Sequence, residues 1–474
     1  MRILAMCLML MLARNVSATV LHVGAGRPYA NPATASRMAV AGDTILIHAG
    51  TYLGTFWIED LNGSPGLPIV IRGEDRSTVV FDGGSESMHM SKCSYVQLEN
   101  FTVTRQTGNG MNIDDGGVLD TPTHHIVVRN VLFTQMAATG NNDQLKLSGL
   151  DTFSIEDCTF EDGAVGGSGV DMVGCHKGLF KGNTFTRQGS NCIQAKGGTQ
   201  HIRIEGNRFI DGGQRAVNLG GSTGLQFFRP PNATFEAADL QVYSNLFVRS
   251  VAPISFVGCV RVHVENNTII NPVRWVFRVL QETVDTSRFL PCGDNYFRNN
   301  IIVYTTSIST HVNIGSNTAP ESFTLANNLW YKSDDVSRSQ PNLVSMSETA
   351  SIYGSDPQFI GATTDQRLQQ ASPAIGKGIP IDSLTQDMQG QPYATPPSIG
   401  AYEGASTTRV DESNLSPKRV VRLSATEVSV TLPVGSDTRI YIVYDLRGRA
   451  IGTGKLTEGT HRLAVGVAEF VVVK

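Results

Sequence analysis

Between residues 143 and 229 the apolar and polar positions fall into one short pattern that recurs. Leu145-Lys146-Leu147-Ser148-Gly149, Val170-Asp171-Met172-Val173-Gly174, Ile193-Gln194-Ala195-Lys196-Gly197 and Val217-Asn218-Leu219-Gly220-Gly221 each carry apolar first and third residues, a small or polar second residue and a closing Gly. Alternation of period two predicts short strands whose apolar pairs share one face while the second and fourth residues point the other way. The Gly marks a sharp turn. The second positions (146, 171, 194, 218) are 25, 23 and 24 residues apart. A fixed period of this length predicts stacked repeats, because one strand–turn unit cannot bury its apolar face alone.

A second mark runs in phase with the first. Segments like Ile204-Glu205-Gly206-Asn207-Arg208-Phe209 place Cys158, Asn183, Asn207, Asn245, Asn267, Asn300 and Asn328 at one position of the repeat. This position follows the outward strand residue by 12 (146 to 158, 171 to 183, 255 to 267) or 13 (194 to 207) residues. Stacked turn Asn side chains hydrogen-bond backbone groups of their own and neighbouring coils. The pattern resembles the right-handed parallel β-helix, an all-β solenoid. Parallel strands are expected from about Ile45 to about Phe359, with Leu145, Leu147, Val170, Met172, Ile193, Ala195, Val217 and Leu219 inside.

Flanking segments set the expected organisation. Residues 1–18 read as a secretory signal, with Arg2, the apolar run Ile3 to Ala13 and the small-residue site Val16-Ser17-Ala18. That run is too short to span a bilayer, so no membrane span is expected after cleavage. Residues 19–360 read as the β-helix, with a helix-forming cap at Pro32 to Ala41. The series Ser372-Pro373-Ala374-Ile375-Gly376, Asp387-Met388-Gln389-Gly390 and Ile399-Gly400-Ala401-Tyr402-Glu403 resembles the closing module of bacterial surface β-helix proteins, which makes 361–404 a C-terminal cap. Residues 405–417 read as a linker. From 418 to 474 alternating strands such as Arg439-Ile440-Tyr441-Ile442-Val443-Tyr444 predict a small β-sandwich. Its turn Tyr444-Asp445-Leu446-Arg447-Gly448-Arg449 and basic last residue resemble the C-terminal sorting domain of the type IX secretion system. The resemblance implies export through that machinery and a secreted or outer-surface location in a Gram-negative bacterium.

Composition adds limits. Charged residues are only 17% of 474, Gly is abundant at 48, and the formal net charge is −4. The segment 405–474 carries +3 and the rest −7. An acidic body argues against nucleic acid as a partner. Six cysteines follow the signal segment, and Cys93, Cys175, Cys259 and Cys292 share one column, eight residues before the Asn position of their unit, which Phe101 occupies in the unit of Cys93. Cys259 and Cys292 fall on successive coils, near enough for a bridge; most of the six are read as small buried hydrophobes.

Candidate chemistry follows from the outward column Asn112, Lys146, Asp171, Gln194, Asn218, Ser255, Arg278, Asn313. The column two residues on adds Asp114, Ser148 and Lys196. Two coils are long: 38 residues separate Asn207 from Asn245 and 33 separate Asn267 from Asn300. The excess must leave the stack as loops, around Phe227-Phe228-Arg229 and Gln281 to Pro291, where binding residues usually sit. A polar strip bordered by Phe227, Phe228 and Trp275 suits an extended sugar chain, because rings stack on aromatic faces while polar groups bind hydroxyls. Lys146, Asp171, Gln194, Asn218, Phe227, Phe228 and Arg278 are therefore the expected substrate-binding residues. The Lys146/Asp171/Lys196 neighbourhood also reads as a plain ion-pair ladder.

Lys196 and Arg215 resemble the Lys and Arg pair of the chondroitinase B and alginate lyase family. That resemblance implies a polysaccharide lyase acting on a uronate polymer by β-elimination, with Lys196 as base and Arg215 or Arg229 as charge stabiliser. Here Arg215 precedes its strand, whereas the family's Arg lies farther along the coil. The glycine-histidine-glycine and arginine-isoleucine-lysine motifs of polygalacturonase-type hydrolases are absent. No metal motif is present; among cofactors only calcium enters, through Glu236 and Asp143. The rival expectation is a non-catalytic glycan-binding or structural surface protein.

Overall fold

A computed structural model describes residues 18–361 and 365–404 with their side chains, and the backbone of strands within 419–473. Residues 1–17 of the signal segment and the linker lie outside the described residues. The chain divides into two compact units, up to Ala405 and from Ser406.

The first unit is a right-handed parallel β-helix. Three parallel sheets run its length, from Val20–Val23 to Glu348–Thr349, from Gly50–Leu53 to Ile352–Tyr353, and from Phe56–Glu59 to Val312–Ile314. The third sheet contains the repeated strands. Lys146 pairs with Asp171, Asp171 with Gln194, Gln194 with Asn218, Asn218 with Ser255, and Ser255 with Arg278. This is the outward column expected from the period, in the same order. The eight expected inward residues are all buried, so the strand register follows from burying one apolar face.

The Asn column is a continuous buried ladder. From Asn183 through Asn207, Asn245, Asn267 and Asn300 to Asn328, each Nδ2 donates to the next Oδ1 at 3.0–3.1 Å. The same oxygens accept backbone N–H groups, as from Cys158 to Asn183 at 2.9 Å, and each Nδ2 also reaches a carbonyl such as Phe180 O or Ile204 O. The residue before each ladder position turns the corner in the left-handed region, at φ 50–70° for Asp157, Gly182, Gly206, Ser244, Asn266, Asn299 and Asn327. Beside the ladder Phe133, Phe160, Phe185, Phe209 and Phe247 stack at 4.7–5.2 Å between ring centroids, within 14° of parallel.

The short helix Pro32–Ser36 is capped by Asn31, whose side chain accepts from Thr34 N at 3.0 Å, and buries Ala35 against the first coils. All six cysteines of the described residues are buried and free; Cys259 and Cys292 have their Sγ atoms 4.0 Å apart without a bond. Residues 372–404 run along the flank of the stack. Asn327, Asn299 and Asn266, the left-handed corner residues, donate to Lys377, Ile379 and Ser398 carbonyls at 2.8–3.0 Å, and Leu368, Ala374 and Ile399 pack on Ile301 and Leu329.

The second unit holds two three-stranded antiparallel sheets. One is Arg419–Arg422, Glu427–Leu432 and Gly459–Ala464; the other is Ala450–Leu456, Arg439–Asp445 and Glu469–Val473.

Candidate functional site

The outward column continues toward the N-terminus beyond Asn112. His89 pairs with Asn112, and Trp57 with His89. The column two residues on reads Glu59, Ser91, Asp114, Ser148, Val173, Lys196. Over these coils lies a groove of about 1140 Å³, a little above the roughly 300–1,000 Å³ usual for ligand pockets. Its floor is formed by Trp57, His89, Asp114, Lys146 and Lys196. Its walls come from the helix Pro32–Ser36, from Asp115 to Leu119, and from the loop carrying Phe227 and Arg229.

At one end Trp57 is 64% exposed and lies over the His89 ring at 4.0 Å between centroids. His89 is held at both nitrogens, Nδ1 to Glu86 Oε2 at 2.8 Å and Nε2 to Asp114 Oδ2 at 2.7 Å. Asp114 Oδ1 accepts from Ser91 Oγ at 2.7 Å. At the centre the fully buried Asp171 holds two lysines. Lys146 makes a very short contact with Asp171 Oδ2, and Lys196 Nζ lies 3.3 Å from the same oxygen. Asp171 Oδ1 has no hydrogen-bond partner among the described residues.

Asp143 completes this cluster, 3.7 Å from Lys146 Nζ, and accepts Ser168 N at 2.8 Å. Burial, then the charge of Asp171, pushes its carboxyl up to about 6. Burial works against the Lys146 ammonium, but the Asp171 and Asp143 carboxylates outweigh it and raise the pKa.

Glu236 organises the roof. Though buried, it accepts Gly197 N at 2.8 Å, Thr223 N at 2.9 Å and Thr223 Oγ1 at 2.7 Å, and makes a very short bond with Thr283 Oγ1. One carboxylate thus ties both long loops to the turn after Lys196. Its oxygens are engaged by these donors, so the calcium role considered for Glu236 does not fit. Asp143 is occupied by Ser168 N and Lys146, and the described residues hold no cluster of three His, Cys, Asp or Glu suited to a metal. The loop leaves its strand at Gly221, whose φ is +156°; a Cβ there would sit 2.7 Å from Gln194 Nε2. Glycine lets the backbone fold back over the strand face.

The expected site residues separate into groups. Lys146, Lys196 and Phe227, which is 60% exposed, line the groove, with Asp171 beneath them. Phe228 does not border the strip: it is fully buried against Phe289 and Ala233 and holds the loop together. Arg229 reaches the groove wall but is spent on structure. Its guanidinium donates to Asp151 Oδ1 at 2.7 Å and Gly174 O at 3.0 Å. Burial would raise the Asp151 carboxyl, but the bonds from His176 and Arg229 hold it well below its ordinary range. Arg215 lies outside the groove, paired with Glu282 at 2.6 Å and Asn218 Oδ1 at 3.2 Å. Asn218 is buried, Gln194 accepts from Asn191 at 2.9 Å, and Arg278 bonds Asn313 at 2.9 Å farther along the sheet. Trp57, His89 and Glu86 were not expected; carrying the column 23 residues back from Asn112 reaches His89.

The geometry defines a right-handed β-helix protein with a roofed groove on one sheet. A family model for the right handed beta helix region matches residues 86–236. Among solved structures the chain is similar to pectate lyase Pel9A, at 14% identity over 82% of this chain and 98% of that one, TM-score 0.48. It is similar to an alginate lyase from Paenibacillus (13%, 63% and 96%, TM-score 0.37) and to the A-module of mannuronan C-5 epimerase AlgE4 from Azotobacter vinelandii (13%, 66% and 86%, TM-score 0.40). No curated protein matches the sequence. No helix among the described residues is long and apolar enough to cross a membrane.

Proposed function

We propose that this protein takes an extended uronate polysaccharide into the groove between Trp57 and Phe227 and cleaves it by β-elimination. The observation that carries this reading is the pair of lysines, Lys146 and Lys196, sharing one buried carboxylate at the groove floor. Sugar rings rest on the exposed faces of Trp57 and Phe227. A uronate carboxylate meets the Lys146 ammonium, which stabilises negative charge as it develops. Lys196, acting as the base in its neutral form, removes the proton beside that carboxylate. The electron pair forms the new carbon–carbon double bond, the glycosidic C–O bond breaks, and the leaving oxygen takes a proton from water.

A binding-only role is the second reading, favoured by one observation: Lys146, Lys196, His89 and Arg229 are all engaged with carboxylates. Incubation with polygalacturonate and with alginate, followed by the ultraviolet absorbance of the conjugated product, separates the two. The lyase reading expects absorbance to rise, and Lys196→Ala to slow the rise by about 10²–10⁴-fold with unchanged melting. Binding of a polymer without any rise establishes the binding reading instead. Full activity of Lys196→Ala removes Lys196 from the mechanism. Export by a sorting machinery that reads the C-terminal unit belongs to the same proposal; intact-mass analysis of secreted material that still retains Val473 and Lys474 would count against it.

A further inference from the structure

The outward column does not end at the groove. Three strand steps beyond Gln194, through Asn218 and Ser255, it reaches Arg278, about 14 Å away at the usual strand spacing. There Arg278 and Arg274 both lie over the Trp275 ring, their guanidinium carbons 4.4 and 4.2 Å from its centroid. Arg215 stands on the same sheet and feels the same field. The three arginines share a single carboxylate: Glu282 pairs with Arg215, and neither Arg274 nor Arg278 has an acidic partner among the described residues. Burial first, then repulsion by Arg215 and Arg274, lowers the Arg278 pKa, and Glu282 offsets only part of this. Beneath them Ser255, fully buried on the outward column, has an Oγ with no hydrogen-bond partner among the described residues. The groove lysines are tied to Asp171, whereas this cluster keeps uncompensated positive charge on planar, bidentate donors.

We infer that Arg215, Arg274 and Arg278 around Trp275 form a second subsite, which recognises an oxyanion, carboxylate or sulfate, on a glycan that extends past the groove. The Trp275 ring holds the Arg274 and Arg278 guanidinium groups in place, and their forks take the anion. The inference rests on the polysaccharide reading for its ligand and not on cleavage.

Binding to the full chain is measured by tryptophan fluorescence and by affinity electrophoresis with polygalacturonate, dextran sulfate and neutral dextran. The double variant Arg274→Gln/Arg278→Gln is expected to weaken one or both acidic polymers by about tenfold or more and to leave neutral dextran unchanged. The acidic polymer that loses more identifies the oxyanion. Arg274→Gln alone changes an exposed residue, so it tests the site without endangering the fold, and a smaller loss of the same kind is expected. Lys196→Ala is expected to leave this discrimination between acidic and neutral polymers in place even if it destroys turnover. Wild-type affinity of the double variant for both acidic polymers overturns the proposal, and so does an equal loss on neutral dextran or a wild type that binds neither acidic polymer. Absence of cleavage alone does not touch it.

Discussion

Two polar columns among the described residues, each with one residue per coil, behave differently. The Asn ladder is inside and nearly uniform from Asn183 to Asn328, and every amide bonds the one on the next coil. The outward column is heterogeneous: Trp57, His89, Asn112, Lys146, Asp171, Gln194, Asn218, Ser255, Arg278. Repetition of one residue type satisfies one backbone demand over and over. Variation along a column, where the backbone demand is constant, points to something other than the backbone. The position of a polar residue in the repeat is therefore less informative than whether its neighbours above and below are the same.

The sharpest test of this contrast is Asn207→Ala. It removes the acceptor of Asn183 N and the donor to Phe180 O, both buried. We expect a loss of about 3–5 kcal/mol in chemical denaturation. A loss below that expected for one ordinary hydrogen bond would show that the ladder is not the structural half of the comparison.

The acidic cluster under the outward column predicts a gain instead. Asp143 is raised from 3.8 to about 6 in the folded state. A raised carboxyl favours folding below its unfolded pKa, and that advantage is lost as pH rises through the folded value. Wild-type stability attributable to Asp143 should thus fall between pH 4 and 6. Asn keeps the acceptor for Ser168 N and does not titrate, so Asp143→Asn should be more stable than wild type by about 1–2 kcal/mol at pH 7, and the difference should vanish near pH 3. Melting temperatures across this range decide it; a difference independent of pH would mean that Asp143 is not the titrating group.

The smallest effect is expected at the exposed turn pair Arg249–Asp211, 2.8 Å apart. It repeats from coil to coil, as in Arg187–Asp162, yet it stands in water. Asp211→Ala should cost no more than about 0.5 kcal/mol. A cost like that of the ladder would show that repetition itself, independent of burial, marks stabilising residues.

Reading the chain alone placed Lys146, Asp171 and Lys196 on one face because a two-residue alternation and a constant coil length are local properties. It missed Trp57 and His89, since the coil between them is 32 residues long (57 to 89) and neither has an Asn mark behind it. It also put Phe228 at the rim of the strip. Phe227 and Phe228 are adjacent and chemically alike, but Phe228 meets Phe289, which lies 61 positions away (228 to 289), and is buried.

What the sequence by itself determined is the solenoid: its register, its inward residues, its Asn ladder and the order of the outward column. These depend on burying one apolar face per coil, a demand that each repeat states in its own few residues. Only the tertiary structure decided which outward residues belong to a site. The roof is set by Glu236 joining Thr223 to Thr283, and by Arg229 reaching Asp151. Such contacts join side chains from different loops across coils, and no periodicity encodes them.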